Sequence, residues 1–97
     1  MLISAVRKEA KRNEEMIRQY QERISELPKG SLSRKKTGYY YLKYRAGDAI
    51  CDQYVGKDPN VIDDLNSKIE ERRHCENMLR ALRNEQKQIR RVLEGLK

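Results

Sequence analysis

Ninety-seven residues, 38% of them charged and none of them Trp or Phe, make one small domain with too little apolar mass for a large monomeric core. Association with a second copy is the expected remedy. The formal net charge of +7 favours polyanionic partners and argues against mimicry of DNA.

From the N-terminus, Ile3, Val6, Ala10, Asn13, Ile17, Tyr20, Ile24 and Leu27 recur at three-four spacing. This pattern predicts a helix over 3–27, with one polar layer at Asn13 in an apolar seam. Arg, Lys, Glu and Gln fill the other positions and keep the outer face solvated. Pro28 and Gly30 end the element.

Residues 31–55 then change period. Ser31 to Lys36, Tyr39 to Arg45 and Ala49 to Val55 read as three strands of a β-meander, joined by turns at Thr37-Gly38 and Ala46-Gly47-Asp48. Alternation puts Tyr40, Leu42 and Tyr44 on one face of the middle strand and Tyr39, Tyr41, Lys43 and Arg45 on the other. The first set suits packing, the second an exposed surface.

Asp58-Pro59 opens a second helix, 59–96, with Asp58 as N-cap and Pro59 in the first helical position. Its seam runs Ile62, Leu65, Ile69, Arg72, Cys75, Leu79, Leu82, Gln86, Ile89, Leu93 and Leu96. Two successive three-residue steps around Arg72 form a stammer, which overwinds a coil locally. Asn13, Arg72 and Gln86 are read as register-setting interruptions of the seams. At 1.5 Å per residue the helices span roughly 36 and 55 Å. Folded back antiparallel, the second should overhang and leave Ile89 to Lys97 without an intrachain partner. The expected fold is therefore α+β: a long helix, a three-stranded antiparallel meander and a longer helix. The helices form a coiled-coil-like antiparallel hairpin that dimerises through Ile17, Tyr20, Ile24, Leu79, Leu82, Ile89, Leu93 and Leu96.

Charge follows the same division. Residues 29–57 carry seven Lys/Arg against two acids, whereas the flanks are nearly balanced, at six against five and nine against eight. Cations beside aromatic rings suit a surface that neutralises phosphate and stacks on bases. Arg34, Lys35, Lys36, Lys43 and Arg45 are the candidate phosphate contacts, and Tyr39 and Tyr41 the stacking residues. The competing structural reading is that tyrosines are good strand formers and that edge cations prevent aggregation. Residues 80–97 are basic as well, with six Lys/Arg against two Glu, which suits pairing with acidic helices in an oligomer.

Enzymatic and metal chemistry find little footing. His74, the one histidine, adjoins Cys75 on a helix, where neighbouring side chains diverge by about 100°. No CxxC, GKS/T, GxSxG or HExxH occurs. No cofactor, metal or small-molecule substrate is expected. No apolar run approaches the roughly 18 to 20 residues of a membrane span, and no signal peptide is evident. Cys51 and Cys75 fall in different elements, so the chain reads as cytoplasmic with reduced thiols.

Leu27-Pro28-Lys29-Gly30-Ser31-Leu32, Tyr40-Tyr41-Leu42-Lys43-Tyr44-Arg45 and Tyr54-Val55-Gly56-Lys57 together resemble a meander found between helices in small proteins of bacterial and phage mobile elements and near some transposase N-termini. The resemblance covers about a third of the chain. Gly47-Asp48 departs from it, because such proteins often carry Gly-Gly-Lys or Gly-Lys at that turn. It implies a phage or mobile-element context and includes no catalytic residue. Two functions follow as expectations. One is a non-enzymatic accessory protein that binds nucleic acid or a nucleoprotein complex. The other is a protein-directed inhibitor of a host nuclease complex, of anti-CRISPR type, or a coiled-coil adaptor.

Overall fold

A computed structural model describes residues 2–95. The order of elements is α1 (Leu2–Glu26), β1 (Ser31–Arg34), β2 (Tyr40–Ala46), β3 (Ala49–Gly56) and α2 (Pro59–Gly95). This is the expected α+β arrangement of helix, antiparallel meander and helix. Leu96, the last position of the expected seam, lies outside the described residues. The chain divides into two compact units, Met1–Glu26 with His74–Lys97 and Leu27–Arg73.

In the helical unit, α1 runs antiparallel to the later turns of α2. Ala5 and Val6 line a groove with Ile89 and Val92, while Ala10 and Asn13 line one with Gln86 and Leu93. Asn13 is 2% exposed, and its Nδ2 donates to the Leu82 carbonyl at 2.9 Å, fixing the register of the two helices. Cys75 and Leu82 are buried, and Ile17, Tyr20, Ile24, Leu79, Ile89 and Leu93 are half-buried. Ile3, at the start of α1, is 45% exposed.

The expected overhang from Ile89 onward is not found among the described residues. Ile89, Val92 and Leu93 have α1 neighbours, because α1 starts beside the late turns of α2. Residues 59–73 belong instead to the sheet unit, whose buried apolar side chains are Leu27, Leu42 and Ile69. Arg72 explains the irregular step in the seam. Its Nη1 donates to the Leu27 carbonyl at 2.7 Å, satisfying an acceptor just beyond the last turn of α1. Asp58 caps α2 as expected, its Oδ1 accepting from the Asn60 amide at 3.0 Å.

The sheet has the order β1-β2-β3, with both pairs antiparallel. Gly47 (φ 63°) and Asp48 join β2 to β3 between paired Ala46 and Ala49, and a positive φ at the first central position marks a type II′ hairpin. Gly30 has φ 113°, and a Cβ there would collide with the Lys43 carbonyl oxygen. The chain entering β1 therefore lies against β2 as closely as glycine permits.

Candidate nucleic-acid interface

The β1–β2 connection decides which side chains share a face. β1 stops at Arg34, two residues short of the expected strand, because Lys35 begins a turn closed by the Gly38 amide donating to the Lys35 carbonyl at 2.9 Å. The Lys35 amide donates to the Tyr39 carbonyl at 2.9 Å, so the loop is Lys36-Thr37-Gly38, with Gly38 at φ 88°. Ser33 then pairs with Tyr41, and Arg34 with Tyr40. Directly opposed residues of an antiparallel pair point to the same side. Arg34 is thus on the Tyr40, Leu42 and Tyr44 face, whose centre, Leu42, is buried.

The opposite face gathers rings and cations. Tyr41 pairs with Tyr54, and their ring centroids lie 5.5 Å apart in an edge-to-face arrangement at 74°. A bulge on β3 leaves Val55 unpaired between Tyr54 and Gly56, where the register shifts. Tyr54 also meets Tyr39, with centroids 5.9 Å apart and a 40° tilt. Lys35 Nζ stands 5.5 Å from the Tyr41 ring centroid, and Lys57 Nζ 5.2 Å from that of Tyr39. The result is a row of three tyrosines with an ammonium over each outer ring. Tyr54, in the middle, is 59% exposed.

Lys43 and Arg45 continue this face toward the β2–β3 turn, and both are exposed. Lys43 stands opposite Asp52, so one positive charge has a carboxylate neighbour. Arg45 stands opposite Ile50, which is 67% exposed. Lys36 is exposed in the β1–β2 loop. Of the residues expected from sequence, Lys35, Tyr39, Tyr41, Lys43 and Arg45 therefore share one face, Lys36 sits at its edge and Arg34 belongs to the other.

Tyr54 and Lys57 are not among the candidate contacts named from the sequence. Within β3, Tyr54 alternates with Ile50 and Asp52, a signal visible in the sequence. Its pairing with Tyr41 follows from the two-residue Gly47-Asp48 turn; the three-residue turn Ala46-Gly47-Asp48 expected from sequence would set it opposite Tyr40. Cys51 and Cys75 are free thiols, and among the described residues no three His, Cys, Asp or Glu side chains gather to hold a metal ion. No described helix is long and apolar enough to cross a membrane. No protein-family model, curated protein or solved structure matches the chain.

Proposed function

We propose that this protein is a non-enzymatic nucleic-acid-binding accessory factor that contacts its ligand through the outer face of the meander. The observation that supports this most is the Lys35–Tyr41–Tyr54–Tyr39–Lys57 row, in which cations and ring faces occupy one side of a small sheet. Ammonium groups neutralise phosphate, and exposed rings offer stacking surfaces that suit any base. The resemblance of the meander to mobile-element proteins supports a phage or transposon setting. A cytoplasmic homodimer that engages nucleic acid or a nucleoprotein complex fits the same reading.

The test is a fourfold charge reversal, Lys35, Lys43, Arg45 and Lys57 each to Glu, assayed by fluorescence anisotropy with a labelled oligonucleotide. The expected loss is at least about a hundredfold in affinity at constant helix content, with wild-type binding weakening steeply as salt rises. Retained affinity, or binding indifferent to salt, contradicts the proposal.

Ile50 favours a second reading. A 67% exposed isoleucine beside Arg45 suits contact with a protein surface, as in an inhibitor of a host nuclease complex. A partner recovered from host lysate after complete nuclease digestion, and lost on Ile50→Glu, would favour it over the first.

A further inference from the structure

The geometry points to single-stranded nucleic acid as the ligand class, with Tyr54 as the residue on which a base stacks. This inference rests on the nucleic-acid reading above and narrows it. Centroid steps of 5.9 and 5.5 Å separate Tyr39, Tyr54 and Tyr41. Bases in a duplex rise by about 3.4 Å per step and keep their faces inside the stack. A base that stacks on the exposed Tyr54 ring must leave its neighbours, which an unpaired strand does at small cost and a duplex does not.

The lysines bracket the row. Lys35 and Lys57 cover the two outer rings, while the central ring is the most exposed of the three. A base docks on Tyr54, and the phosphates on either side of it draw the two ammonium groups off the neighbouring rings. Gly56 supports this placement. The Tyr54 hydroxyl lies 3.7 Å from where a Cβ at Gly56 would stand, so the ring runs forward along the end of β3 toward Tyr39.

The experiment measures anisotropy with three labelled probes: a 12-nucleotide DNA strand, the RNA strand of the same sequence, and the 12-base-pair DNA duplex. Either single strand should bind at least tenfold more tightly than the duplex. Tyr54→Ala should weaken single-strand binding about fivefold or more, and Tyr54→Phe should restore it, because stacking needs the ring and not the hydroxyl. Lys57→Ala should lower the salt slope by about 0.7, the value for one phosphate on a single strand. Since the chain has no tryptophan, Tyr54→Trp supplies a unique indole whose fluorescence should be quenched by a single strand and not by the duplex.

Duplex binding as tight as single-strand binding, or an unchanged affinity in Tyr54→Ala with native circular dichroism, overturns the inference. Both outcomes leave the broader nucleic-acid reading standing. Failure of all three probes to bind at low salt overturns both.

Discussion

Net charge does not distinguish the two units; its arrangement does. The helical unit has twelve basic and eight acidic residues, and the sheet unit ten and seven. In the helical unit, α1 is mixed, with six basic residues against five acidic, while residues 80–97 carry six against two and no aromatic ring; a seam of Ile, Leu, Ala and Met lies between the helices. The sheet unit is polarised. Its α2 segment, residues 58–73, holds five acids against three bases, while the meander holds seven bases against two acids. A mixed surface keeps a helix soluble, whereas a segregated one creates a local field that can attract an anion. The basic end of α2 shares the charge but not the rings; the two coincide on the meander, which is where the proposed function puts the ligand.

If the meander depends on backbone geometry and the helical unit on side-chain packing, different substitutions should break them. The largest effect is expected from Gly30→Ala. A positive φ and a collision with the Lys43 carbonyl should together cost about 3 kcal/mol or more and abolish oligonucleotide binding, as thermal melts and anisotropy would register. Survival of both stability and binding would mean that the approach of β1 to β2 is not tight.

Leu82→Ala comes next, at about 2–4 kcal/mol, because Leu82 is buried beside the Asn13 layer. Its protein, assayed at a temperature where it remains folded, should bind as well as wild type. Reduced affinity there would tie the ligand to the helices and dissolve the contrast. Asp58→Ala should cost about 1 kcal/mol by removing the N-cap of α2, read as a lowered urea midpoint. Lys68→Ala sharpens the comparison from the other side. It breaks an exposed pair with Asp64 (3.1 Å) and should change stability by no more than about 0.5 kcal/mol.

The helical part of the fold was largely legible. Between Val6 and Leu93, the seam positions named from spacing are all buried or half-buried, since a 3.6-residue period projects directly onto burial. The partners of the late turns of α2 were not, because spacing gives the faces of two helices and not their relative offset. That offset depends on Asn13 reaching Leu82 and on α2 supplying its early turns to the sheet unit.

For the candidate site, the limit was register. A two-residue loop at Thr37-Gly38 would set Arg34 opposite Tyr41. The three-residue loop that forms sets Ser33 there and turns Arg34 to the other face. A slip of one residue exchanges the faces of a strand, so composition marks out the basic aromatic region but does not assign each side chain to a side. Tyr54 stayed hidden for the same reason, because a three-residue turn at Ala46-Gly47-Asp48 would set it opposite Tyr40, whereas the two-residue turn that forms sets it opposite Tyr41.

The most direct measurement is an amide chemical-shift titration of uniformly ¹⁵N-labelled protein with a short oligonucleotide. The account predicts that the largest shifts fall on Lys35, Tyr39, Tyr41, Lys43, Tyr54 and Lys57, with α1 and residues 80–91 of α2 little changed. Shifts concentrated on the basic end of α2 and absent from the meander would contradict it.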